Sequence, residues 1–245
     1  MALFDDSYLI RGKDFKVSDI ITVFNPKISD ILDFGENNYY RAVSMFISTP
    51  QDYKVQLFDM GIDFEQMNGF EFFYVSTRTA TPELSSILFG DLDFSAFSFV
   101  DDPATGNLVM KHEDILFDEL SYTVASDFIR KINNFPEQKP EVYLNDDVKR
   151  YRLDVERGNL RHKQREAEKK KGSEKSQLLS IISALVNSGS SPYDYKSIMD
   201  ITISQLHDSV NRVQKIKHYD DVMRGLYAGT LQQDKLDLPA INWLS

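Results

Sequence analysis

Residues 202–229 read TISQLHDSVNRVQKIKHYDDVMRGLYAG. Thr202 and Gln205 stand three apart, the spacing at which each side chain can satisfy a free backbone N–H at the start of a helix. From there Ile203, Leu206, Val210, Val213, Ile216, Met223, Leu226 and Tyr227 recur at steps of three and four, with Tyr219 and Val222 filling the one gap. That spacing predicts a single amphipathic helix of about 25 residues carrying one apolar stripe. Gly229 supplies its stop. Such a stripe needs a partner. The local candidate is residues 176–186 (SQLLSIISALV), a second apolar-rich helix separated from the first by the break NSGSSP at 187–192. A helical hairpin or small bundle is expected over 173–245.

Charge organises what lies upstream. The chain has 245 residues and a formal net charge of -10. Residues 1–140 carry 23 acids and 11 bases, residues 141–172 carry 7 acids and 10 bases, and residues 173–245 carry 8 acids and 7 bases. The sequence therefore divides into an acidic N-terminal domain (1–140), a basic charged connector (141–172) and a near-neutral helical C-terminal domain (173–245).

In the first segment, Phe15–Phe24 (FKVSDIITVF) reads as a strand. Asn25 and Pro26 suit the cap and first position of a helix ending at Gly35. Helices are expected over Asn37–Ser48, over Asp52–Met60 with Gly61 as its stop, and after Thr81-Pro82. Residues 70–77 (FEFFYVST) fit helix or strand equally by periodicity. Phe94–Val100 and Asn107–Lys111, separated by DDPATGN, read as a β-hairpin. Ser121–Asn133 returns to helical spacing. Residues 134–147, with two prolines, read as a linker. Residues 148–172 are either a long solvated helix or a tether, and an internal Gly158 costs a helix about 1 kcal/mol. The fold class is therefore α+β and predominantly helical.

Composition excludes several chemistries. There is no cysteine, hence no disulfide, thiolate zinc site or cysteine nucleophile. The sequence pI of about 4.9 opposes whole-molecule attraction to nucleic acid or anionic membrane. No 18-residue apolar run exists, and the opening MALFDDSYLIRGKD lacks the pattern of a secretory leader. Phosphate-loop, dinucleotide-binding and nucleophile-elbow motifs are absent.

The chemistry-bearing residues left are sparse. Carboxylates pair at Asp91/Asp93, Asp101/Asp102, Asp146/Asp147 and Asp220/Asp221, where capping explains most aspartates. Glu137-Gln138-Lys139 resembles a fragment of a nuclease site but sits between two prolines. His207 and His218 fall roughly 16 Å apart on the expected helix, too far to share a metal, and neither His112 nor His162 has a ligand partner in sequence. No catalytic residue, metal or cofactor is expected, and the protein reads as a non-enzyme.

Two surfaces could bind macromolecules. One is the stripe and tail, namely Leu206, Val210, Val213, Leu238, Ile241, Trp243 and Leu244. A free LDLPAINWL tail (236–244) would expose five large apolar side chains, so it either packs on its own helices or docks into another protein, for which Trp is a favoured anchor. The other is the basic block, with Lys149, Arg150, Arg161, Arg165, Lys169, Lys170 and Lys171 as the phosphate-facing candidates. Only Tyr151 could stack on bases there, and attraction to the acidic N-terminal segment is the stronger expectation.

Three stretches carry a family resemblance. They are ILDFGENNYYRAVSMFISTPQDYKVQLFDMGIDFEQMNGFEFF (31–73), LLSIISALVN (178–187) and ITISQLHDSVNRVQKIKHYDDVMRGLYAGTLQQDKLDLPAINWLS (201–245). Together they resemble tail-module proteins of long-tailed phages and prophages of Gram-positive bacteria, and among those the tail assembly chaperones. The resemblance implies a non-enzymatic protein in the cytoplasm of the infected bacterium. It would bind the tape-measure protein and tail-tube subunits, with self-association possible and no membrane or nucleic-acid partner. A structural virion component of tail, neck or baseplate, and a nucleic-acid-binding regulator acting through the basic connector, are the alternatives. A hydrolase built on an aspartate pair is the remote fourth.

Overall fold

The computed structural model describes residues 4–102, 106–136, 141–169, 176–189, 191–232, 236, 237 and 241–243. Among these the protein is a predominantly helical α+β fold with two small antiparallel sheets.

The chain opens with α1 (Ser7–Ile10) and a two-stranded hairpin, β1 (Phe15–Lys16) and β2 (Thr22–Val23), paired Phe15 to Val23. The run 15–24 is therefore folded in half rather than extended. Ser18 causes this: its Oγ accepts the N–H groups of Ile20 and Ile21 at 3.3 and 3.1 Å, closing a turn inside the apolar run. The helix that follows, α2 (Ile28–Phe34), starts two residues later than Asn25-Pro26 suggests. Asn25 is instead buried, and its amide donates to Ser204 at 2.8 Å. The backbone of Pro26 to Ile28 is taken up by a bridge to the chain ahead of the last helix, Ile28 N to Ile201 O and Ile203 N to Pro26 O, both 3.0 Å.

Helices α3 (Glu36–Ile47), α4 (Lys54–Asp59) and α5 (Gly69–Thr77) come next, then the short α6 (Ser86–Phe89). Residues 70–77 are thus helical. Asn68 decides it: its Oδ1 accepts from Phe70 N and Glu71 N, and Glu71 returns a carboxylate to Asn68 N at 3.3 Å.

The second sheet has order β3 (Ser98–Asp101), β4 (Leu108–His112), β5 (Ile115–Phe117). The expected strand from Phe94 is shorter than its apolar run. Asp93 caps a 3-10 turn over Phe94–Ala96, accepting Ser95 N at 2.9 Å. β5 is an additional strand, reached through Glu113 at φ +51°.

Next come α7 (Glu119–Ile132), the long α8 (Asp146–Lys169), α9 (Gln177–Val186) and α10 (Ile203–Tyr227). Thr202 N donates to Gln205 Oε1 at 3.0 Å, as the spacing requires.

Aromatic rings fill the main core. Phe46, Phe73, Phe89, Phe94, Phe97 and Phe117 are all 4% exposed or less. Leu178, Ile182 and Leu185 of α9, together with Ile198, Ile203 and Leu206, join the same buried cluster as Ile31, Tyr39 and Phe128. The segments expected as an N-terminal and a C-terminal domain thus contribute to one apolar cluster. A polar knot seals the junction. The Ser204 hydroxyl donates to Leu9 O at 2.8 Å while accepting from Asn25, and Gln205 Nε2 donates to Ile10 O at 3.0 Å.

A smaller cluster holds the connector. Leu153 of α8 is 1% exposed among Val55, Leu57, Phe64 and Phe72, with Leu160 and Tyr143 packed at its rim.

Candidate interaction surfaces

The structure separates the residues of the expected α10 stripe. Leu206 is fully buried in the main core, and Val210 and Val213 pack against it half-buried. As folded, Leu206 offers no surface to a partner. Beyond Val213 the stripe leaves the core, which corrects the single stripe expected over the whole helix. The reason is arithmetic. Each step of three turns a helix face back by about 60°, and the steps 210–213–216–219–222 are all threes. Ile216, Tyr219, Val222, Met223 and Leu226 therefore point about 150° away from Leu206 and Val210. Val222 is buried and the other four are half-buried, yet none of the five belongs to either core cluster.

The tail answers part of this. After Gly229, at φ +70°, the chain reverses. Thr230 N and Leu231 N both donate to Gly225 O, at 2.9 and 3.1 Å. Leu231 lies over Gly225 so closely that a Cβ there would sit 2.7 Å from its Cδ1. Farther along, Arg212 Nη1 donates to Trp243 O at 3.0 Å. The described tail residues thus return along α10. Ile241 is half-buried, while Trp243 remains 37% exposed, Leu231 40% and Tyr227 84%. Leu238 and Leu244 lie outside the described residues.

The basic connector is docked on acid. Lys149 pairs with Glu65 and Asp63 and sits 4.5 Å above the Phe64 ring. Arg157 pairs with Asp59 and Asp154. Lys54 holds Glu141 at 3.1 Å, and the Tyr143 hydroxyl donates to the same carboxylate at 2.7 Å. These bonds hold Glu141 below the usual carboxylate range, and burial beside that charge pushes the Tyr143 phenol up. Lys149 is therefore committed within the molecule. Arg150, Arg161, Arg165 and Lys169 are exposed and fall within about 100° of arc. Asp147, Asp154 and Glu168 share that arc, so it is a mixed-charge face rather than a continuous phosphate track. Lys170 and Lys171 lie outside the described residues, as do Glu137, Gln138 and Lys139.

Three of the four aspartate pairs contribute a residue with a structural role. Asp93 caps a turn, Asp146 and Asp147 occupy the acidic first turn of α8, and Asp221 lies 3.7 Å from Arg224. No group of three or more His, Asp or Glu could hold a metal among the described residues. His162 and His218 are exposed, and the His112 ring centroid is 5.5 Å from that of Phe97. His207 differs. Its Nε2 is buried without a hydrogen-bond partner, and burial holds its pKa down. Sequence reasoning weighed it only as a ligand. A cleft of about 620 Å³ lies between the start of α5, the start of α7 and the β3–β4 turn, lined by Glu71, Asp118 and Glu119 together with Phe70 and Phe99. Its acids already serve helix starts, Glu71 and Asp118 directly. No helix among the described residues is long and apolar enough to cross a membrane.

Comparison with known proteins adds one finding. The family model described as "YomV second domain" matches residues 168–245. That family is phage-derived, YomV being a Bacillus prophage protein, and the match supports a phage protein. No curated protein and no solved structure matches the chain.

Proposed function

We propose that this chain is a non-enzymatic phage tail assembly chaperone. It holds the tape-measure protein soluble and helps tail-tube assembly in the cytoplasm of the infected host. The observation that carries this reading is the outward half of α10 with its folded-back tail. That surface places Ile216, Tyr219, Met223 and Leu226 half-buried beside exposed Tyr227, Leu231 and Trp243, in the segment matched to the phage-derived family. A partly covered apolar helix face suits a partner that presents an amphipathic helix. The acidic surface of residues 1–140 favours solubility of such a complex.

The test is co-expression with the tape-measure protein of the same phage. Solubility of that partner only in the presence of this chain, with the chain absent from finished particles, supports the reading. A chain retained in purified virions indicates a structural component instead. Trp243→Ala should weaken capture by roughly 2 kcal/mol while leaving the melting temperature nearly unchanged. Replacing Lys169, Lys170 and Lys171 by Gln should leave capture intact. Loss of activity there, with salt-sensitive DNA binding in the parent, would favour the nucleic-acid reading.

A further inference from the structure

Helix α8 is long and thinly attached. It has 24 residues and buries Leu153 alone, whereas α7 buries Tyr122, Phe128, Ile129 and Ile132 among others in 14. What α8 covers is an acid-rimmed apolar groove. Val55 and Leu57 of α4, with Phe64 and Phe72, form the floor under Leu153, each 8% exposed or less. Asp59, Asp63 and Glu65 form the rim. Lys149, Leu153, Arg157 and Leu160 lie within roughly 80° of arc on the helix, the first three at steps of four. Lys149 takes Asp63 and Glu65 and sits 4.5 Å above the Phe64 ring, Arg157 takes Asp59, and Leu153 packs on the floor. Tyr53 extends the floor outward: its ring lies 5.2 Å from that of Phe72, yet it stays 40% exposed.

We propose that α8 is a releasable strap, and that the groove beneath it docks an amphipathic helix of another protein with the same order, base, leucine, base at steps of four. Charge complementarity sets the occupant's chemistry. Three rim carboxylates require bases on either side of an apolar anchor, and α8 shows that spacing in place. Release follows from how α8 is held. The carboxylates of Asp59, Asp63 and Glu65 remain 38–51% exposed in their ion pairs, so each pair contributes little and salt weakens it. One buried leucine in a long run of exposed helical turns is the profile of a segment that opens before the rest of a fold. Gly158 stands exposed inside the helix, where a Cβ would meet nothing within 4 Å and glycine only weakens the element. An incoming helix that lacks this glycine and reaches Tyr53 covers more of the groove and displaces the strap. The groove is separate from the outward face of α10, so this inference does not depend on the proposed chaperone role.

A fluorescent peptide of residues 145–161 carrying Gly158→Ala is the probe, titrated by anisotropy into the full chain. The strap competes with it, so the parent's apparent affinity is reduced by the fraction of molecules with the groove open. Leu153→Ala in the chain should therefore tighten binding by about tenfold or more. The peptide with its own Leu153→Ala should not bind. Asp59→Lys added to the Leu153→Ala chain should weaken binding about tenfold, and a peptide with Arg157→Glu should recover it, because the pair re-forms with charges exchanged. Hydrogen exchange of the parent gives a second readout. Raising salt from about 0.05 to about 0.5 M should speed exchange along α8 and leave α3 and α7 unchanged. Amides of α8 that exchange only together with those of α3 and α7 overturn the strap. A peptide that binds the parent and the Leu153→Ala chain equally, or binds neither, overturns the groove, as does binding indifferent to Asp59→Lys. A parent chain that dimerises at the higher salt, with α8 protected again, assigns the groove to α8 of a second copy and overturns the partner reading.

Discussion

Phe94 shows how a residue can be more central than its surroundings suggest. It sits in a 3-10 turn at the edge of a sheet, yet its ring lies 4.9–5.6 Å from those of Phe46, Phe73, Phe89, Phe97 and Phe117. Removing a ring that joins five others leaves a cavity that no single neighbour can fill. Phe94→Ala should therefore cost about 3–5 kcal/mol, read from chemical denaturation midpoints at constant slope. His207 makes a different demand. Its folded pKa is lowered by burial, so the unfolded chain binds the proton more tightly. Its contribution to stability is complete above the unfolded value, about 6.5, and is lost as pH falls through the folded value. The carboxylates held low, Asp5, Glu141 and Asp194, titrate in a more acidic window. A melting temperature that falls between pH 7.5 and 5.5 in the parent, and falls distinctly less in His207→Gln, is the expected result. Equal falls in both would show that His207 is not the source.

At the scale of elements, legibility followed the distance over which each cause acts. The long helix from Thr202 was readable because its cap and its glycine stop are local. Periodicity left residues 70–77 undecided; the signal that resolves them, Asn68 and Glu71 three apart, lies just ahead of the apolar run. The drift of the α10 face was present in four successive steps of three, although counting steps of three and four together hides it. Asn25 was not readable as a buried residue, because its partner Ser204 is 179 positions away. The attraction of the basic block to the acidic N-terminal segment was readable from charge, but the seat of α8 on residues 55–72 was not, because it needs the acidic loop Asp59–Glu65 folded into place. Leu153 anchors that docking with the ion pairs of Lys149 and Arg157 around it. Leu153→Ala should cost about 2–4 kcal/mol within the smaller cluster. It should also raise amide exchange along α8 well before the main core opens. Uniform exchange changes across α3 and α7 would show instead that α8 is part of the same cooperative unit.

At the scale of the molecule, the composition boundaries and the buried cluster divide the chain differently. Charge places breaks near residues 140 and 172, and the family match begins at residue 168. Yet α9 and the first turns of α10 bury Leu178, Ile182, Leu185, Ile203 and Leu206 in one cluster with Ile31, Tyr39 and Phe128. α10 itself lies against α1, α7 and α9. A recurring sequence unit need not be an independent folding unit when its apolar side chains are buried against another segment. Residues 168–245 expressed alone would expose that surface to water, at about 25 cal/mol for each Å² of apolar area left uncovered. They would also leave the Ser204 and Gln205 side chains without the carbonyls of Leu9 and Ile10. The fragment should therefore show partial helicity, a broad non-cooperative melt and concentration-dependent association, by circular dichroism and light scattering. Adding residues 1–136 in trans should restore a sharp transition, because the apolar cluster and the polar knot re-form together. A fragment that melts sharply on its own would show that the C-terminal segment is a domain in its own right, and that its contacts with the first segment are an interface rather than a shared core.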